Sequence, residues 1–180
     1  ILEGWLEGKE VVTYLKSILG ISVGLGVLAG ILIILFSFLF TSASSVLQGA
    51  ELTVPIWKSF LASFYGGIGE EILFRLFVMT VIVWVFYKIK KTPEGKPTTV
   101  GIWLAIIITA ILFGLGHLPI TGSITTITPL VIARAIVLNG IGAIIFGWLY
   151  WKKGLESAMI SHFSADIVLH VMFPLIFSSF

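Results

Sequence analysis

The chain contains no cysteine. That excludes disulfides, thiolate metal sites and a cysteine nucleophile, and it leaves the redox compartment unspecified. Charge is also scarce, with 11 Lys and Arg and 9 Asp and Glu among 180 residues. A soluble domain carries roughly 25% charged residues, whereas here the figure is 11%. The formal net charge of +2 is too small to favour nucleic acid as a partner. No HExxH zinc motif, GxSG serine motif or GxGD aspartyl motif is present, since Gly114-Leu115-Gly116 is followed by His117. No internal repeat or low-complexity linker is visible, and five spans without an inverted repeat fit a transporter poorly.

What is abundant is apolar. Hydrophobic residues make up 58% of the chain and the mean hydropathy is +1.12. The partner these numbers imply is the lipid bilayer. The chain opens on Ile1 rather than Met, as a fragment of a longer protein would. No cleavable signal peptide is expected, because the first apolar run is too long and follows a charged segment.

A bilayer crossing needs about 20 mainly apolar residues. Five stretches qualify, at about 16–40, 56–88, 99–117, 129–151 and 155–178. The expected fold is therefore an all-α polytopic membrane protein, a bundle of about five transmembrane helices. Residues 1–15 read as an interfacial amphipathic segment and 16–178 as a single transmembrane domain. The second stretch is long enough to be two helices, broken near Gly66–Gly67, which would change the parity. Gly20 with Gly24 and Gly26 with Gly30 are spaced for close helix packing.

With five spans, Lys9, Lys16, Lys88, Lys90, Lys91, Lys96, Lys152 and Lys153 fall on one side. The opposite loops carry Glu51 and Lys58. The positive-inside rule then makes the N-terminus cytoplasmic.

Charged side chains inside a span are rare and mark functional sites. Glu70 and Glu71 stand side by side in YGGIGEEILFRLFVM, with Arg75 in the same stretch. Glu71 and Arg75 are at i, i+4 and share a helix face. Glu70, rotated by about 100°, is left for chemistry. His117 closes the third stretch, one turn after Phe113. His162, Asp166 and His170 form a stripe on the fifth, and Arg134 is the remaining buried charge, expected to pair with Asp166 or a glutamate. Burying these groups separately is unfavourable, so convergence of Glu70, Glu71, His117, His162 and Asp166 is expected. A glutamate and a histidine around one water form a general base, and a second histidine can donate to an oxyanion.

Glu70 to Arg75 matches EExxxR, Phe113 to His117 matches FxxxH, and His162 to Asp166 matches HxxxN/D. In this order on successive apolar helices, the sequence resembles the CPBP (or ABI) intramembrane proteases. That family includes type II CAAX prenyl endopeptidases and proteins linked to bacteriocin processing and self-immunity. The resemblance covers roughly residues 56–175. It implies a glutamate-dependent endopeptidase with a polar cavity opening to the cytosol. It implies a peptide or membrane-protein substrate, prenylated or not, and no cofactor. By position, Glu70 is the base and His117 holds the water. His162 and Asp166 stabilise the oxyanion, while Glu71, Arg75 and Phe113 support the site. Position 166 carries Asp where such prenyl proteases have Asn. An ionised Asp repels an oxyanion, so Asp166 would serve protonated or by orienting His162.

Two alternatives stand beside this reading. Zinc held by Glu70, His117 and His162 would make a metalloprotease. A non-catalytic scaffold, immunity protein or complex subunit would keep the residues for structure, with Glu70 neutralised by a cation and no cavity reaching it. Depth is a further constraint. By length, Glu70 and His117 lie far from the Lys88–Lys96 turn while His162 lies near Lys153, so straight, equal spans do not bring them level.

Overall fold

The computed structural model describes residues 11–40 and 54–177. Five helices are long and apolar enough to cross a membrane, at Val11–Phe40, Ile56–Ile89, Thr99–Gly122, Pro129–Lys153 and Leu155–Phe177. The bundle is all-α, with no strand among the described residues. Of the expected amphipathic segment, residues 1–10 lie outside the described ones, and Val11 already begins the first helix. Lys9, Glu51 and the polar stretch after Phe40 also lie outside them.

Helix starts follow local chemistry. Thr98 caps the third span by accepting from the Gly101 N–H at 3.1 Å, and Thr128 caps the fourth by accepting from Val131 at 3.3 Å. Such side-chain caps satisfy N–H groups that the helix itself cannot. Pro129 occupies the first turn of the fourth span, where its missing N–H is no loss. Gly154, at φ 91°, turns the chain tightly from the fourth span into the fifth.

Large apolar side chains point outward. Leu19, Leu35, Trp84, Val100 and Leu112 are among the many exposed ones. Lipid is as apolar as a protein interior, so close contact between helices relies on small residues. The first span packs on the fourth and fifth, and the fourth also packs on the third. A Cβ on Gly26 would collide with the Ser161 carbonyl, and one on Gly30 would lie 2.8 Å from the Val168 Cβ. Gly20 and Gly24, in contrast, have nothing within 4 Å. Only the second of the two spaced pairs is a packing pair.

The second span is one continuous helix, not two, so the parity of five holds. It is not uniformly α, however. Tyr65–Glu70 and Ile72–Met79 are π-helical, and the Thr80 hydroxyl donates to the carbonyl five residues back, on Arg75, at 3.1 Å. Gly66, Gly67 and Gly69 weaken the local α preference, and π segments recur at functional sites. At 34 residues the span is about 50 Å long at 1.5 Å per residue, well beyond a hydrocarbon core of about 30 Å. Nineteen residues follow Glu70 in this span, whereas seven precede His162 in the fifth. That offset brings Glu70 level with His162, removing the mismatch that equal spans would give.

Candidate active site

Glu71 and Arg75 are completely buried. The Glu71 carboxylate is shared between two partners. Its Oε2 lies 3.2 Å from Arg75 Nε, and its Oε1 accepts from His162 Nδ1 at 2.8 Å. Arg75 Nη2 reaches the Ala143 carbonyl at 3.5 Å, and its guanidinium lies 5.2 Å from the Phe113 ring and 5.8 Å from Phe146. One carboxylate thereby ties the second span to the fifth, while the guanidinium ties it to the third and fourth. The sequence showed the Glu71–Arg75 pairing; the bond to His162 spans 91 residues and leaves no local trace.

His162 is the centre of the cluster. Since Nδ1–H donates to Glu71, Nε2 faces the other way. It lies 3.8 Å from Glu70 Oε2 and 3.6 Å from Asp166 Oδ1. Those gaps exceed a hydrogen bond and leave Nε2 available to a third group. The imidazole stacks on Phe146, with centroids 4.7 Å apart and planes at 18°, and meets Phe113 edge-on at 5.8 Å. Orientation of an imidazole through its other nitrogen is the usual way its working nitrogen is fixed.

His117 sits at the break between Thr99–Gly116 and Leu118–Gly122. Its Nδ1 lies 2.8 Å from the Phe113 carbonyl. A carbonyl only accepts, so Nδ1 carries the hydrogen and Nε2 of the neutral ring is an acceptor. Phe113 is the common wall of His117, His162 and Arg75.

A cavity of about 540 Å³ joins these groups; Glu70, His117, His162 and Asp166 all line it. Glu70 and Asp166 are partly exposed within it, at 21% and 14%. Arg134, Asn139 and His170 line it as well. Arg134 was expected beside Asp166 or a glutamate. Arg75 lies beside Glu71, and His162 lies beside both Glu71 and Asp166. Among the described residues no group of three His, Asp or Glu is arranged to hold a metal ion.

Two contributors went unnoticed in the sequence. Phe146 supplies the stacking face for His162, and no motif surrounds it. Gly66 belongs to the cavity wall. A Cβ there would collide with Asp166 Oδ2 and lie 3.3 Å from His162 Nε2. Its position four residues before Glu70 was the only available signal.

A family model described as type II CAAX prenyl endopeptidase Rce1-like matches residues 52–168, more than half of the chain. The match contains all three motifs. No curated protein and no solved structure matches the chain.

Proposed function

The chain belongs to the Rce1-like type II CAAX prenyl endopeptidase family, a CAAX-type protease-like, integral multi-pass membrane protein, and from that premise we propose that it is a glutamic intramembrane endopeptidase with Glu70 as its base. The observation that carries this is the unequal use of two adjacent carboxylates. Glu71 is consumed by Arg75 and His162 in a fully buried bridge. Glu70 faces the cavity, 3.8 Å from the same imidazole. One water, at about 2.8 Å from each, can touch both groups.

In this reading Glu70 Oε2 takes a proton from that water as its oxygen adds to the scissile carbonyl carbon. His117 Nε2 accepts a hydrogen bond from the same water and fixes its direction. The developing oxyanion lies against His162 Nε2, which in the imidazolium form carries the hydrogen it needs. Glu70 then passes its proton to the leaving nitrogen and the C–N bond breaks. Asp166, 3.6 Å from Nε2, acts on the ring electrostatically rather than through a direct hydrogen bond. The lipid bilayer and a polypeptide substrate, prenylated or not, are the partners. The step uses no metal; zinc on Glu70, His117 and His162 is the competing assignment.

A scaffold reading requires a Glu70 sealed from water, whereas here it lines the shared cavity. The test is Glu70→Gln, assayed on purified protein against a verified substrate. Cleavage should vanish while the melting temperature and elution profile stay unchanged. Undiminished cleavage by that variant would sink the proposal.

A further inference from the structure

The two π-helical segments of the second span leave the α register for different reasons. Tyr65–Glu70 contains three glycines, which weaken the local α preference. Ile72–Met79 contains none, and its Leu, Arg and Met are good α-helix formers. Its register is held by contacts instead.

The contact is at its end. In a continuing π-helix the Thr80 N–H would bond to the carbonyl at i−5, on Arg75. It bonds instead to Phe77. The Thr80 hydroxyl takes the vacated place and donates to the Arg75 carbonyl at 3.1 Å. A threonine in an α-helix reaches the carbonyl at i−3 or i−4, so a bond to i−5 belongs to the wider π turn. With its one hydrogen spent there, Thr80 Oγ1 accepts from the Tyr150 hydroxyl, 2.9 Å away.

Tyr150 is a firmly held donor. Its ring packs against the buried cluster of Met79, Ile102, Ala105 and Ile106, near the lysine end of the fourth span. It follows Phe146, the ring stacked on His162, by one turn, and Ala143, whose carbonyl meets Arg75 Nη2, by two. One stripe of the fourth span thus holds Arg75 twice, the side chain through Ala143 and the backbone carbonyl through Tyr150 and Thr80. Thr80 is on the exposed side of its span, about 12 Å of helix before Lys88. In hydrocarbon no water competes for its hydroxyl.

We propose that Thr80 and Tyr150 are positioning residues for the site: their hydroxyl relay holds Ile72–Met79 in the π register, and that register aims Glu70 at the cavity. An α-helix turns about 100° per residue, and the wider π turn turns less. Returning this segment to α would accumulate that difference over its eight residues. Glu70 would then rotate about the span axis, away from His162 Nε2. The kinetic half of the proposal rests on the endopeptidase reading; the backbone half does not.

Thr80→Val keeps the side-chain shape and removes the hydroxyl, Thr80→Ser keeps the hydroxyl, and Tyr150→Phe removes only the outer donor. The purified proteins, in one detergent, are assayed on a dye-quenched peptide selected from a library for cleavage by the parent protein. Leaving the Arg75 carbonyl unsatisfied should lower kcat of Thr80→Val about tenfold, with KM within about twofold of the parent value. Thr80→Ser should cleave like the parent and Tyr150→Phe should lose less than Thr80→Val. The double variant Thr80→Val with Tyr150→Phe should be no slower than Thr80→Val, because the two hydroxyls act as a unit. Parental kcat in Thr80→Val, an equal loss in Thr80→Ser, an effect on KM alone, or multiplying losses in the double variant overturns the proposal. Hydrogen–deuterium exchange, read by peptide mass spectrometry, tests the backbone without any substrate. In Thr80→Val exchange should quicken from Met79 back to Glu70, and in Thr80→Ser it should not. Quickening that is absent, confined to the turn of Thr80, or spread over the whole bundle overturns the relay. A parent protein that cleaves no peptide would count against the endopeptidase reading, while the exchange pattern still decides the relay.

Discussion

Glu70 and Glu71 are adjacent and chemically identical, so the same substitution at each separates their roles. Glu71→Gln keeps an oxygen for the His162 Nδ1–H but turns an amide, itself a donor, toward Arg75 Nε. The guanidinium then stays fully buried without its paired carboxylate. Removing one member of a buried ion pair costs about 3–5 kcal/mol. For a chain of this size, about 2–4 °C per kcal/mol turns that into a fall of about 6–20 °C in melting temperature. Glu70→Gln removes a carboxylate that is 21% exposed and 3.8 Å from His162 Nε2, so its melting temperature should stay close to that of the parent protein. A double variant, Glu71→Gln with Arg75→Met, removes the orphaned charge and should recover part of the lost stability, because an apolar replacement of a whole buried pair is often close to neutral. It should not recover cleavage. The measurement is thermal unfolding in one detergent, followed by intrinsic tryptophan fluorescence, beside an activity assay. Equal melting temperatures for the two single variants would refute the division of roles. So would a double variant less stable than Glu71→Gln alone.

Gly66→Ala should abolish most cleavage, because its Cβ collides with Asp166 Oδ2 and overpacking of this kind costs about 1–3 kcal/mol. Gly116→Ala, whose Cβ meets only Phe74 Cζ at 3.4 Å, is the control that should keep its activity. Phe146→Leu keeps an apolar side chain but removes the ring under His162. A stacked pair is worth about 0.5–1.5 kcal/mol, so kcat should fall about two- to tenfold with little change in KM. Incubation with a strong zinc chelator followed by desalting should leave cleavage intact, and loss of activity restored by added zinc would move the assignment to a metalloprotease.

The five spans were readable because the signal is additive. Each is a run of about 20 apolar residues, and the boundaries found differ by only a few residues from those expected. The single continuous second helix was not readable. Apolar length alone does not tell one long helix from two, and of its two π-helical segments only Tyr65–Glu70 contains glycines that weaken the local α preference. The pairing of Glu71 with Arg75 was legible because it is local, at i, i+4. The bond from Glu71 to His162 was not, since it joins residues 91 apart. The approach of Asp166 to His162 was legible for the same reason as the Glu71–Arg75 pair, since the two are at i, i+4 and lie 3.6 Å apart.

By itself the sequence determined that this chain lives in a membrane, how many times it can cross, and which end carries the lysines. It also determined which few ionisable residues require one another's company, because isolated charges in lipid are unfavourable. Only the tertiary structure decided how those residues are shared out. The fifth span brings His162 to Glu71, the fourth lays Phe146 against the imidazole, and a glycine in the second leaves room for Asp166. The same packing fills the lysine end of the bundle and leaves a cavity at the other. Those outcomes depend on which helix faces meet and at what depth, and neither quantity is carried by composition or by local spacing.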